Sequence, residues 1–459
     1  MMMLSEIAKA VGGQLIGADI LCESVGTDSR NMVKNQLFVA LKGESFDGNS
    51  YAQEAIKLGA AAVLVSDANT QARPAVVVQD TRHALGALAK YWREKFKIPL
   101  VAVTGSNGKT TVKEMITAIL MQTKKSVLAT QGNLNNDIGL PLTLLKLRKQ
   151  HEFAVIEMGM NHLGEIDYLT RIAKPTVAVI TNAGTAHIGE VGSRENIAKA
   201  KGEIFAGLDE SGIAVINTDD MYGDYWKSLN DNRHVNTFGF NFANDVSASF
   251  EEKDNANEVH LNTREGSIDF KLNMLGKHNV ANALAASAVA VALGISNAKI
   301  AGGLSHFGGV KGRLQRKNGL NGAALIDDTY NANPDSMKAA IDVLTNQVGK
   351  QIFVMGDMAE LGTDSAQMHA EIGAYAKQKG VNILLTLGEQ CVHTARAFGE
   401  NATHYASLQA LLTAAAGLMK KDATVLIKGS RFMQMERVVA ALEEKHTEKQ
   451  MMQKMVGEK

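Results

Sequence analysis

The stretch that most constrains this chain is Val101-Ala102-Val103-Thr104 followed by Gly105-Ser106-Asn107-Gly108-Lys109-Thr110-Thr111. An apolar strand runs into a glycine-rich turn and a Lys-Thr pair. Val112, Met115, Ile116, Ile119 and Leu120 then recur at the spacing of an amphipathic helix. Free N–H groups at a helix N-terminus and the helix dipole together bind phosphate. Gly105 and Gly108 let the backbone close around such a group, Lys109 supplies a point charge, and Thr110 offers a hydroxyl to Mg²⁺. The loop departs from the standard pattern, which places a glycine where Val103 stands. An ordinary strand-to-helix turn would not need all four parts in this order.

A chain of 459 residues exceeds what one hydrophobic core usually serves, so two or three domains are expected. Formal net charge is zero, which favours neither nucleic acid nor an anionic membrane as partner. Cys22 and Cys391 stand far apart without metal-ligand spacing, and read as free thiols of a reducing cytoplasm. The first residues lack a basic segment followed by an apolar one, so no signal peptide is expected. The small-apolar stretch 283–295 is shorter than the ~20 residues a membrane helix requires. The charged end, 443–459, reads as a solvated helix or frayed tail.

The pattern divides into three segments, 1–81, 82–313 and 314–459. The first is small and mixed α/β, with strands at 37–41 and 61–65 and polar turns at Asp28-Ser29-Arg30 and Lys42 to Gly48. A helix over 81–96 leads to the phosphate loop. The second alternates strands (154–157, 176–181, 212–217) with helices, the mark of a mostly parallel, helix-covered sheet. Ligands bind such sheets at the carboxyl ends of strands. Glu157 closes one strand there, His187 lies just beyond another, and with Thr110 they make a plausible ligand set for a hard divalent cation. From 240 to 275 the pattern alternates as in antiparallel strands, before an Ala-rich helix opens at Lys277. The third segment has strands at 323–327, 351–356, 382–386 and 424–428 and reads as a second doubly wound, Rossmann-like domain without a phosphate loop. Arg431, expected at a helix start, could grip a carboxylate bidentately; a surface arginine is the plain alternative.

Thr104 to Thr111, Glu157, His187 and the box Gly276-Lys277-His278-Asn279-Val280-Ala281-Asn282 resemble the ATP site of the Mur ligases. The first segment, with Ser29-Arg30, Phe38 to Gly43 and Asp47-Gly48, resembles their nucleotide-sugar-binding N-terminal domain. Stretches 132–143, 328–334 and 356–362 resemble the member of the family that adds D-alanyl-D-alanine. The Asp-Asn-Pro-Arg stretch of the relative that adds the third residue is absent.

The resemblance implies a cytoplasmic, monomeric, ATP- and Mg²⁺-dependent ligase of peptidoglycan precursor synthesis. ATP would phosphorylate the terminal carboxylate of a UDP-N-acetylmuramoyl-tripeptide, and the amine of D-alanyl-D-alanine would attack the acyl phosphate. By the same resemblance the first domain binds the UDP substrate, the central domain ATP, and the last the dipeptide. Gly105, Ser106, Asn107, Gly108, Lys109, Thr110 and Thr111 would hold phosphates, with Thr110, Glu157 and His187 on Mg²⁺. Asn279, Asn282, Arg313, Asp328, Tyr330 and Asn331 would complete the nucleotide site. Thr130, Asn135 and Asn136 would contact the muramoyl substrate, and Ser29, Arg30, Lys42 and Asp47 its uridine diphosphate end. Ser430 and Arg431 would contact the dipeptide. Lys201 matches a family lysine that is carbamylated and joins a second Mg²⁺; otherwise a lysine in this helix, like Lys199, would be a solvated face. A different ligase of the family, and a nucleotide-dependent switch that does not turn over, remain open readings.

Overall fold

The computed structural model describes residues 1–186, 188–253 and 255–444. It contains three main β-sheets, each built from one stretch of sequence. In the first, Gln14–Ile16, Ala75–Val77, Ala62–Val65, Gln36–Val39 and Ser24–Gly26 lie in that order. The pairs are parallel except where Gln14–Ile16 joins. Ala62–Val65 is buried at every position, as a strand covered on both faces must be.

The second sheet has nine strands, in the order Gly266–Leu272, Ala256–Thr263, Val246–Lys253, His234–Gly239, Ile213–Asn217, Val177–Ile180, Leu100–Thr104, His151–Glu157 and Ser126–Ala129. Its first two pairs, at the 246–272 end, are antiparallel and the rest parallel. The chain enters at Leu100–Thr104, crosses to the edge strand Ser126–Ala129, comes back to insert His151–Glu157 between them, and then builds outward on the other side from Val177–Ile180. Leu100–Thr104 is therefore the topological switch point, and the crevice beyond its carboxyl end is where such a sheet binds ligands. Helices Lys109–Met121 and Lys277–Ala292 pack on one face through a valine- and alanine-rich core.

The third sheet runs Gln315–Asn318, Ala324–Asp328, Ala423–Lys428, Lys350–Gly356, Ile383–Leu387 and Ala402–Tyr405. All pairs are parallel except the first. Ala423–Lys428 is inserted between two strands that precede it in sequence. This places the ends of three strands, at Asp328, Gly356 and Lys428, side by side.

Helix Thr81–Arg93 joins the first two sheets. Asp80 caps it, its side chain accepting from the N–H of Arg82 and His83. Ala84, Leu85, Leu88, Ala89 and Trp92 belong to one core that continues from Leu4 and Ile7 to Leu140, Ile166 and Leu169. The helix was expected to reach 96; instead Lys95 and Phe96 make i to i−3 bonds to Trp92 and Arg93, tightening the last turn ahead of Pro99. Of the charged end, Glu443 pairs with Lys317 at 2.8 Å; residues 445–459 lie outside the described residues.

Candidate active site

The loop after Leu100–Thr104 is held open by its neighbours. Gly105 has φ +151°, and a Cβ there would stand 1.8 Å from Thr181 Oγ1. Gly108 has φ +82°, and a Cβ would stand 2.2 Å from Asn282 Oδ1. Both positions thus exclude any other residue, sterically and by backbone conformation. Asn107 is clamped: its N–H donates to Asn182 Oδ1 at 3.0 Å, and its carbonyl accepts from Thr181 Oγ1 at 2.6 Å and Asn182 Nδ2 at 3.1 Å. Asn182 was not expected from the sequence; only its register at the end of the adjacent parallel strand brings it there. Lys109 Nζ donates to the Gly105 carbonyl at 2.7 Å. Burial pushes the Lys109 ammonium below its usual range, with Glu157 and Glu360 pulling it back up and Arg313 lowering it further.

Glu157, at the end of the next strand, is 2 % exposed. Its Oε1 accepts from Asn135 Nδ2 at 2.8 Å, whereas Oε2 is buried with no partner. Ser106 Oγ is likewise buried and unpartnered. Leaving such groups unpaired costs about 1–3 kcal/mol each, more for a charge, and oxygen donors of this kind suit a hard cation with waters and phosphate oxygens. The site therefore fits Mg²⁺ and a nucleotide triphosphate: an orphaned carboxylate oxygen, an orphaned hydroxyl, and a glycine cradle beside a lysine. His187 lies outside the described residues. Thr110 and Glu157 both line the cavity.

Lys201 is not a solvated lysine. It is 2 % exposed inside helix Arg194–Gly202. Burial drives its ammonium well below the ordinary lysine range, and Lys109 adds to the shift. Lys199, two residues earlier, is exposed and paired with Glu195 at 2.8 Å.

A cavity of about 1360 Å³ opens between the second and third sheets. Ser106, Asn107, Lys109, Thr110, Asn135, Asn136, Glu157, Arg313, Tyr330, Asn331 and Arg431 line it, as do Thr185, Asn333, Ser336, Glu360 and Glu436, which the sequence reading did not single out. Arg313 stacks on Tyr330 with its Cζ 4.1 Å from the ring centroid, and its Nε is buried without a partner.

Other expected residues lie behind the wall. Thr130 is buried; its Oγ1 accepts from the Glu157 N–H at 2.9 Å, and its carbonyl takes Lys113 Nζ at 2.6 Å. It fixes Glu157 and does not face the cavity. Asp328 is gripped by Lys428 Nζ at 2.5 Å and the Leu314 N–H at 3.1 Å. Asn279 donates to the Leu275 carbonyl at 2.8 Å and accepts from Asn282 at 3.2 Å. Thr111 is buried under the loop. Ser430 is 1 % exposed, its Oγ accepting from the Ala359 N–H at 2.7 Å. Arg431 stands at a helix start, as expected, though the helix is a single 3-10 turn, Arg431–Met433; it pairs with Glu436 at 3.0 Å. Ser29, Arg30, Lys42 and Asp47 sit on turns of the first sheet and do not line this cavity. Arg30 is bound to Asp28 at 2.9 Å, and Lys42 and Asp47 face each other across an isolated bridge.

With this geometry in view, family comparisons decide the class. The Mur ligase middle domain model matches residues 103–290, the Mur ligase glutamate ligase domain model 312–431, and the Mur ligase family catalytic domain model 22–93. The chain belongs to the Mur ligase family. It is 43% identical over 450 residues to the UDP-N-acetylmuramoyl-tripeptide–D-alanyl-D-alanine ligase of Escherichia coli, covering 97% of this chain and 99% of that one. The same-named ligase of Bacillus subtilis is 38% identical, covering 96% and 98%. Among solved structures, MurF from Acinetobacter baumannii superposes with a TM-score of 0.90 at 37% identity, over 96% of this chain and 98% of that one. MurF from Thermotoga maritima in complex with ADP gives 0.82 at 28% identity, over 91% and 96%. The Mur ligase core thus accounts for all three sheets.

Proposed function

We propose that this Mur ligase joins D-alanyl-D-alanine to a UDP-N-acetylmuramoyl-tripeptide, with ATP as the energy source, completing the pentapeptide precursor of peptidoglycan in the cytoplasm. The observation that carries the reading is the convergence, in one cavity, of the phosphate loop, the orphaned Glu157 oxygen and the stack of Arg313, at the joint, on Tyr330 of the next domain.

Phosphoryl transfer is mostly positioning and charge neutralisation. Lys109 and the amides around Gly108 hold the β- and γ-phosphates. Thr110, Glu157, His187 and a carbamylated Lys201 are the residues to hold Mg²⁺, which when bound neutralises phosphate charge. The carboxylate of the tripeptide attacks the γ-phosphorus and ADP leaves. The neutral amine of the dipeptide then attacks the acyl carbon, an amide forms, and phosphate departs with the former carboxylate oxygen. Arg313 meets the charge of the transferring group, its guanidinium held in place over the Tyr330 ring. Asn282, Asn279, Asp328 and Asn331 shape the nucleotide end. Asn135 and Asn136 face the muramoyl substrate, while Thr130 fixes Glu157, to which Asn135 donates. Ser29, Arg30, Lys42 and Asp47 meet the uridine diphosphate, and Arg431 meets the dipeptide, its buried neighbour Ser430 holding the Ala359 N–H. One chain supplies every group, so a monomer suffices. The domains at 1–81, 82–313 and 314–459 accordingly divide the work between UDP substrate, ATP and dipeptide.

The test is isotopic. An ¹⁸O label in the substrate carboxylate appears in released phosphate if the acyl phosphate forms; label retained wholly in the peptide rules the mechanism out.

A further inference from the structure

We propose that Asp335 is a positioning residue: its carboxylate fixes the 183–186 turn against the phosphate loop when the third sheet lies over the second. The proposal goes beyond the function proposed above and uses that activity as one of two readouts.

Asp335 is the second residue of helix Pro334–Thr345. Its Oδ2 accepts both the N–H of Thr185, at 2.7 Å, and the Thr185 hydroxyl, at 2.9 Å. The same oxygen occupies the space of a side chain at position 184: a Cβ on Gly184 would stand 2.5 Å from it. One helix N-terminus thus seats a carboxylate in a socket that only glycine leaves open. The N-cap of this helix, Asn333, donates from Nδ2 to Asn107 Oδ1 at 2.8 Å. Asn107 is the phosphate-loop residue whose own amide is already bound by Asn182. A third tie lies farther along, where the Gly189 N–H donates to the Glu360 carbonyl at 3.1 Å.

Asp335 does not line the cavity, whereas Thr185, Asn333 and Ser336 do. It acts on the reaction only through the residues it holds. A carboxylate in the first helical turn is also favoured by the helix dipole alone, so the test must separate acceptor from charge. Asn keeps the acceptor and removes the charge.

The experiment uses the full chain with a donor–acceptor dye pair across the 311–313 joint, with turnover measured in parallel. Asp335→Ala lowers kcat about tenfold, the effect of losing one charge-assisted contact pair. It also lengthens the inter-dye distance in saturating ATP and UDP substrate. Its melting temperature and its affinity for the UDP substrate stay at wild-type values. Asp335→Asn keeps at least half of kcat and the wild-type distance. Thr185→Val loses about threefold, and the double variant is no worse than Asp335→Ala. The proposal is overturned if Asp335→Asn falls as far as Asp335→Ala, if the two losses multiply, or if Asp335→Ala leaves the ligand-bound distance unchanged. A wild-type enzyme without ligase turnover would refute the proposed function, while the dye distances would still decide this proposal.

Discussion

At the scale of single residues, the site is organised by groups that a folded chain normally avoids. Glu157 keeps one carboxylate oxygen unpartnered and Lys201 is a lysine out of water. Both are costly unless a ligand or a covalent change compensates them. For Lys201 the direction of the shift matters. Only a neutral amine reacts with CO₂, and burial lowers the pKa, so the site itself raises the reactive fraction. Lys201→Ala loses most turnover while ATP binding survives, and formate restores part of the activity. Lys199→Ala, which only breaks an exposed pair with Glu195, does neither. Steady-state rates and ATP titrations check both. Equal damage at Lys199 would sink the assignment. Lys109→Ala removes charge from the transferring phosphoryl group and costs several kcal/mol of transition-state stabilisation, about 10²- to 10³-fold or more in kcat. A near-normal kcat would show that the loop does not hold the γ-phosphate.

At the scale of elements, strand ends and helix starts carry the chemistry. His278, in the first turn of helix Lys277–Ala292, shows how closely two domains meet there. Burial pushes its imidazole down to about 4; Lys428 adds to this, and Asp328 and Asp342 oppose it. Because the folded pKa lies below the unfolded value of about 6.5, the unfolded chain binds a proton that the folded one refuses between pH 6.5 and pH 4. Stability is therefore fully present above pH 6.5 and falls as pH drops through that window. At pH 5 the loss from this group is at most about 2 kcal/mol. Urea midpoints of wild type and His278→Gln, taken at pH 7.5 and pH 5, should show a steeper acid loss in the wild type. Parallel slopes would mean that His278 does not stay neutral in the fold.

At the scale of the whole molecule, the active cavity exists only because the third sheet lies against the second. Asn333 to Asn107 and Asp335 to Thr185 cross that boundary, and Gly312, with φ +70°, sits at the joint between the two. Closure excludes water from an acyl phosphate that hydrolysis would waste. ATP with the UDP substrate should draw the third domain onto the second, and the dipeptide should bind productively only afterwards. Scattering curves with and without both ligands check this. An unchanged particle size during turnover would mean that the site is assembled beforehand.

The phosphate loop, Glu157 and the strand–helix alternation were legible in the sequence because each rests on local spacing: a turn, a strand end, a helical period; Lys201 was pointed to by the family resemblance alone, since spacing by itself makes it a solvated helix face. The sequence also carried the family resemblance, since motif and order survive translation into structure. What it could not decide is which residues meet across sheets. Asn182 clamps Asn107 only through the register of two parallel strands. Thr130 and Ser430 were expected to touch substrate, yet pairing turns their hydroxyls toward Glu157 and Ala359. Asp335 meets Thr185 across 150 residues of chain. Local periodicity fixes which face of an element is apolar. It does not fix the partner of a polar group, because that partner is chosen by where sheets place strand ends and by how one domain closes on another.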